Sequence, residues 1–599
     1  MDGDRLVIGL EELLRVPQVD VFSGFDISPD DQKVVFSWNR TGQWEIYELP
    51  LGAPVPPHQI TIGPGGKFAP VYSPDGARLA YAVDFDGSER YRLFVLALAD
   101  GKPLDLAPDI SHDIMPHFAW SPDGSKIAFL SNRFGCFGVY VMPSDGGAER
   151  LVLTMPHPLR TVHWSPNGCW LAVTAETHGQ DWGIFLVPAE GGEARPVTDA
   201  NGLLDAHHPC WAAKSDRLAF CTDARGVFDI AIYDIASREI TWVTDCEGDK
   251  QWPDWSPDGE HLVYVHSLGA VAWLEVLKSG EAPIRYQVES GVHYRPRFTS
   301  DGRQVICGFD NPRYPPDLWA LSLLEGKFRQ LTCSLPSELD SSLLVMPVEV
   351  EYPGLDRQNI PALLYRPPNL EAPAPAVIVV HGGPNWHFQA IWYPFMAHLA
   401  NRGWVVLAPN YRGSTGYGRA WQRASRFDLG GVDTRDVAAG AVYLVRQRLA
   451  HPSRIAVTGR SHGGYLTMTC LTQYPELWAA GSAVVPFINW FTAHAGSRHD
   501  LQHWDVENFG DPEKNRNLWH QRSPFFFLER VRAPVQLICA ANDPRCPASE
   551  SISARDRLHE LGREVDFALY PDDGHAFLKI ENVVDSEMRR VMFLERFLQ

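Results

Sequence analysis

Hydrophobic and polar positions alternate with a period of two through the first half of the chain. In the second half they give way to continuous apolar runs separated by helical patterns. The alternation of the first half comes in packets. "DISPDDQKVVFS", "VYSPDGARLAYA", "AWSPDGSKIAFL", "HWSPNGCWLAVT", "CWAAKSDRLAFC", "DWSPDGEHLVYV" and "RFTSDGRQVICG" align on Ser28, Ser73, Ser121, Ser165, Ala212, Ser256 and Thr299, with spacings of 45, 48, 44, 47, 44 and 43 residues. Each packet has an apolar lead-in, a Ser-Pro-Asp-Gly type of turn and an alternating strand. A second strand commonly follows, as in "WEIYELPL" and "RLFVLAL". Proline presets φ at the second turn position, and glycine completes the fourth. Several short strands recurring at this period predict β-propeller blades. Seven units predict a seven-bladed propeller over residues 20–333.

From residue 334 the pattern changes. Lead-in strands between Val348 and Pro367 precede "APAVIVVHGG", "WVVLAPNYRGS", the helix "DTRDVAAGAVYLVRQRL", "RIAVTGRSHGG", "APVQLICAAND" and "EVDFALYPDDGH". Short, nearly continuous apolar strands between helices predict a parallel sheet covered on both faces, here an α/β-hydrolase domain over residues 334–599. Glycine or asparagine follows several strand ends, the edge at which open α/β sheets form ligand sites. The amphipathic "LEELLRV" within residues 1–19 precedes the first blade and is a candidate to pack on the hydrolase half.

Length and composition narrow the function. A chain of 599 residues is too long for one core. With 45% apolar and 21% charged residues it reads as a globular protein. Its 53 Lys and Arg against 73 Asp and Glu give a formal charge of −20, which repels phosphate backbones and argues against a nucleic-acid partner. The amino terminus shows no basic start with a long apolar stretch, and no apolar run approaches the ~20 residues that span a bilayer. A cytoplasmic protein without a membrane partner is the expectation. The 10 cysteines are scattered without metal-type pairs, consistent with free thiols in a reducing compartment.

The candidate chemistry sits at the predicted strand ends. Ser461, in "VTGRSHGGYL", lies between Gly459 and Gly463 at a strand–turn–helix junction, the context of a nucleophile elbow. A serine hydroxyl is a weak nucleophile without a base. Asp543 and His575 follow in chain order, each after an apolar strand, as the acid and base of such a sheet. Asp572 and Asp573 are rival acids, too close in sequence to His575 to reach behind its ring. The glycine pair of "VVHGGPNW" lets backbone approach an oxyanion, and the amides of Gly383 and His462 are the expected donors. His381 is read as holding that loop. Val485 and Trp490, in "VVPFINWF", are candidates for an apolar substrate wall. His494, His499 and His503 lack the neighbouring carboxylate or cysteine pattern of a metal site, so no metal is expected.

With "HGGP", "NYRGSTGYG", "GRSHGGY", "NDPRCP" and "DGHAF" in that order behind a propeller, the chain resembles the prolyl oligopeptidase family of serine peptidases. The similarity is greatest to its acylaminoacyl-peptidase and dipeptidyl-aminopeptidase-like branch. The resemblance implies hydrolysis of short or amino-terminally blocked peptides through an acyl-enzyme, without a cofactor, and it allows a homo-oligomer. It also implies that Arg545 binds a substrate carbonyl. Tyr417 occupies a region where some branches place an oxyanion donor. His462 departs from the aromatic residue expected after the nucleophile. The competing expectations are an esterase or amidase of small non-peptide substrates and, in a different class, a propeller interaction module with a vestigial hydrolase half.

Overall fold

The computed structural model describes residues 8–53, 55–108, 112–198, 205–370 and 372–599. Residues 1–7 of the amino-terminal segment lie outside that description.

The first half forms seven four-stranded antiparallel sheets, each a simple up-and-down meander. Together they make a seven-bladed propeller. The turn residues explain the repeat. In the second blade the Ser73 hydroxyl donates to Asp75 at 2.5 Å and accepts from the Arg78 amide at 2.9 Å, while Gly76, at φ 69°, donates its amide to the Ser73 carbonyl. The same hydroxyl-to-acid bond recurs from Ser28, Ser121, Ser256 and Thr299, and Ser165 makes it to Asn167. The fifth unit has Ala212 instead and keeps only the backbone turn from Ser215. The ring closes where Val19 bridges to Trp38 of the first blade and donates its amide to Pro316 of the last.

The second half is an eight-stranded sheet of β1 (Val348–Pro353), β2 (Asn359–Tyr365), β3 (Ala374–Val380), β4 (Val405–Pro409), β5 (Ala450–Arg460), β6 (Ala480–Val484), β7 (Val535–Ala540) and β8 (Val565–Tyr570). Its order is β1-β2-β4-β3-β5-β6-β7-β8. From β4 to β8 the pairings are parallel, and β1 and β2 join antiparallel. Helices cover both faces, so the central strands are buried on both sides, as their unbroken apolar runs require. Propeller and sheet make this an α/β-hydrolase fold preceded by a propeller.

The helix Leu10–Leu14 buries Leu10 and Leu14 among Phe395, Val591, Leu594 and Leu598 of the hydrolase half. Arg15 then pairs with Glu581 at 2.8 Å. No helix among the described residues is long and apolar enough to cross a membrane.

Candidate active site

Strand β5 ends at Arg460, and the helix His462–Gln473 begins two residues later. Between them Ser461 holds φ 60° and ψ −123°, a conformation that L residues rarely adopt. Its neighbours must be small. A Cβ on Gly459 would stand 2.4 Å from the Gly463 carbonyl oxygen, and one on Gly463 would stand 2.2 Å from the Val380 carbonyl oxygen. The tight turn points the Ser461 hydroxyl into a cavity.

The loop after β7 delivers Asp543 and the loop after β8 delivers His575, although 114 residues separate His575 from Ser461 in sequence. His575 Nε2 lies 3.0 Å from Ser461 Oγ, and its Nδ1 lies 2.8 Å from Asp543 Oδ2. The other Asp543 oxygen accepts the Arg545 amide at 2.8 Å and the Cys546 amide at 2.9 Å. Asp543 is therefore held in place behind the imidazole. Arg460 donates to the His575 carbonyl at 2.8 Å, which fixes the loop from the other side. Asp572 and Asp573 do not compete. Asp572 pairs with Lys579, and Asp573 accepts from the Leu578 amide at 2.8 Å and from Asn582 at 3.0 Å.

The "HGGP" loop crosses beside the serine. A Cβ on Gly382 would lie 3.3 Å from Ser461 Cβ and 3.9 Å from its hydroxyl. Gly383, at φ 115°, and His462 both line the cavity with Ser461. His462 is the first residue of its helix, so its amide has no partner within the helix and is free for an oxyanion. His381 is a strut: Nε2 meets Ser414 Oγ at 2.8 Å, its ring stacks on Tyr411 and burial pushes its pKa down to about 3. Tyr417 lies away from the oxyanion position, its hydroxyl accepting from Asn410 at 2.8 Å.

The cavity, of about 420 Å³, lies between the two halves. Glu176, Trp182, His207 and Phe228 of the propeller face Phe487, Trp490, Trp504 and Arg545 of the hydrolase. Trp490 thus lines the cavity as expected of a substrate wall, and it is buried beside Phe487 at 4.7 Å between ring centroids. Val485 does not. Its amide continues the sheet to the Ile538 carbonyl at 2.6 Å, and its side chain is fully buried among Val484, Ile538 and Ala540. Arg545 reaches across to Glu89 of the second blade at 2.7 Å. His494 pairs with Asp505 at 3.0 Å rather than with His499 or His503.

Three neighbours of the site were not legible in the sequence. Asp433, from the first turn of the helix Val432–Arg446, sits under His462 Nε2 at 3.2 Å, and nothing local marks it. Arg160 joins the cavity to Asp500 from the fourth blade. Cys546 packs against the Asp543–His575 pair; its three-residue spacing from Asp543 was the one available signal.

Residues 386–599 match the prolyl oligopeptidase family, and residues 56–206 match the TolB β-propeller domain. Relatives share most or part of the chain. The chain is 24% identical to the uncharacterized peptidase YuxL of Bacillus subtilis, over 84% of its own length and 93% of that protein. It is 29% identical to the acylamino-acid-releasing enzyme of Rattus norvegicus over 69% of its own length, and it spans only 53% of that enzyme. Among solved structures, a puromycin-hydrolyzing peptidase of Mycobacterium tuberculosis superposes with a TM-score of 0.87 at 20% identity, covering 99% of this chain and 96% of that one. The acylaminoacyl peptidase of Pyrococcus horikoshii superposes at 0.74 and 18% identity, covering 98% and 97%. At these identities the structural likeness establishes the fold shared with the peptidase domain and its propeller.

Proposed function

We propose that this chain is a serine peptidase that hydrolyses short peptides through an acyl-enzyme, with Ser461, Asp543 and His575 as its triad. The observation that carries the reading is the continuous relay of 3.0 Å and 2.8 Å from Ser461 through His575 to Asp543. In this scheme His575 Nε2 takes the hydroxyl proton as Ser461 Oγ attacks the scissile carbonyl. Asp543 holds the imidazole tautomer and stabilises the imidazolium. The amides of Gly383 and His462 donate to the oxyanion of the tetrahedral intermediate. His575 then protonates the leaving amine, and a water attacks the ester along the same path, restoring Ser461.

The propeller acts as a size filter, since the cavity lies between the halves and only short or unfolded chains can enter it. The acids that line the cavity support a substrate with an uncharged, acylated amino end. Glu176 is already paired with Arg160, and Asp505 with His494. Arg545 donates to the carbonyl preceding the scissile residue, which only a peptide supplies.

The test compares matched acetylated, free and internally placed peptides, with Ser461→Ala as control. Ser461→Ala should stay folded, lose labelling by an active-site phosphonate and fall on the order of 10⁶-fold in kcat. The acetylated peptide should be turned over fastest, and a native globular protein should be spared. Retention of a tenth of the activity in Ser461→Ala removes Ser461 as nucleophile. A preference for aryl esters with no gain from a longer peptide returns the esterase reading.

A further inference from the structure

Cys546 has no part in the reaction above, yet its thiol shares a buried cluster with two members of the relay. Cys546 Sγ, one carboxylate oxygen of Asp543 and one ring nitrogen of His575 all lie within 4.8 Å of one another, and all three residues are buried. Among the described residues it is the one cluster of three such ligating side chains. The cluster is held by the backbone. The Cys546 amide donates to Asp543 Oδ1 at 2.9 Å, so the aspartate and the cysteine three residues on share one tight turn. Cys546 also lines the cavity with Ser461, which gives an ion the same entry route as a peptide.

The donor set is selective. A thiolate is soft, an imidazole borderline and a carboxylate hard; together they suit zinc, cobalt or cadmium and not magnesium or calcium, which seek oxygen alone. A tetrahedral zinc ion with bonds of about 2.0–2.3 Å needs donor atoms about 3.5 Å apart. The Asp543–His575 pair is at 2.8 Å and all three donors lie within 4.8 Å, so reaching that spacing means opening the pair and closing on Cys546. Ser461 Oγ, 3.0 Å from Nε2, lies at the opposite ring nitrogen, so the fourth position falls to solvent.

We propose that Asp543, Cys546 and His575 form an inhibitory site for a borderline-soft divalent cation of the zinc class. Coordination through Nδ1 sends the thiol proton to the buffer and moves the imidazole proton from Nδ1 to Nε2; no oxidant or reductant takes part. With Nε2 protonated the imidazole has no lone pair to accept the Ser461 proton, so the bound enzyme cannot begin acylation. The inhibition rests on the serine-peptidase reading, whereas the binding does not.

The test uses the full chain with Co²⁺ as a spectroscopic probe and Zn²⁺ as inhibitor, in the wild type, Cys546→Val and Cys546→Ala. In the wild type one Co²⁺ per chain should give a thiolate-to-metal charge-transfer band, and Zn²⁺ should bleach it. Both variants should lose that band, keeping only the background shared through exposed Cys169, Cys246 and Cys333. Each protein's peptide hydrolysis is compared with its own zinc-free rate. The variants should need roughly 100-fold more Zn²⁺ for half inhibition, at least the cost of losing an outer-shell partner. Mg²⁺ should not inhibit any of them. Absence of the band in the wild type, or equal zinc sensitivity in both variants, overturns the site. If the chain cleaves no peptide, the band alone still decides the binding, so the two readings fail separately.

Discussion

Arg545 and Asp433 show how single residues near Ser461 divide between substrate and scaffold. The Arg545 guanidinium is half exposed at the cavity mouth, and its partner Glu89 also lies 3.6 Å from Arg498. Losing Arg545 therefore leaves Glu89 with a cation. If Arg545 serves the substrate, a charge-assisted hydrogen bond of roughly 1.5–3 kcal/mol is lost, or about 10- to 150-fold in rate constant. Arg545→Ala should lower kcat/KM by that factor on acyl-dipeptide amides and hardly at all on a p-nitrophenyl ester of a short fatty acid. Equal losses on both substrates would assign Arg545 to the fold. Asp433 is fully buried and accepts from the Gly430 and Thr434 amides, each at 2.8 Å, as well as facing His462. Asp433→Ala strands these donors at about 1–3 kcal/mol each. It should lower the denaturant midpoint and reduce kcat more than it raises KM, because the His462 amide loses its anchor. An unchanged kcat would separate Asp433 from the reaction.

At the scale of elements, the loops that carry Asp543 and His575 lean on the propeller. The second-blade loop around Gly87 lies so close to Gly574, next to His575, that a Cβ on Gly87 would stand 2.5 Å from the Gly574 amide nitrogen. Asn542, next to Asp543, donates to the Asp86 carbonyl of the same blade at 2.9 Å. One propeller loop thus touches the loops of both Asp543 and His575. Gly574→Ala should push this loop away without unfolding either half. The expected outcome is a drop in kcat with the near-ultraviolet circular dichroism spectrum retained. Wild-type kcat in Gly574→Ala would mean that blade contact does not hold His575. These elements were legible in unequal measure. The turns announced themselves because five of the seven pair a Ser or Thr hydroxyl with an acid at a fixed offset, the fourth substitutes Asn167 for the acid, and only the fifth, at Ala212, keeps the backbone turn alone. The strand-end loops of the sheet were legible through their glycines. The contact between the Gly87 loop and Gly574 was not, because Gly87 also satisfies a local turn and neither glycine implies a partner 487 positions away.

For the whole molecule, a chain of charges crosses the cleft between the halves. Arg160 of the propeller meets Asp500 at 2.9 Å, Arg498 meets Asp500 at 2.7 Å, and Glu89 joins Arg498 to Arg545. Burial pushes the Asp500 carboxyl up, but Arg498 and Arg160 more than offset this and hold it at about 2. Its folded value lies below the unfolded value of about 3.9, so its contribution is complete above that value and is lost as pH falls toward 2. Asp500→Asn should remove the contribution at neutral pH, at about 3 kcal/mol for breaking a largely buried pair. Small-angle scattering should then show a larger radius of gyration at neutral pH in the variant, and in the wild type only as acid titrates Asp500. The variant should also begin to cleave partly folded proteins. An identical radius in both proteins throughout would show that this network does not hold the halves together.

The sequence by itself determined what depends on local repetition and chain order. The period of its strands led to seven blades, the apolar runs to a covered parallel sheet, and the order of Ser461, Asp543 and His575 to three strand-end loops on one edge. Such features are written in neighbouring residues, because turn dihedrals and strand faces are set within a few positions. Tertiary structure alone decided which distant groups meet. It withdrew Val485 into the core, where its amide pairs with Ile538, and left Trp490 in the cavity wall. It set Asp433 beneath His462, Cys546 against the Asp543–His575 pair, Glu89 of the propeller against Arg545 and Arg160 of the propeller against Asp500. These encounters depend on how two rigid bodies dock and on where loops from separate strands converge, and no residue carries a local mark of a partner that the fold brings from hundreds of positions away.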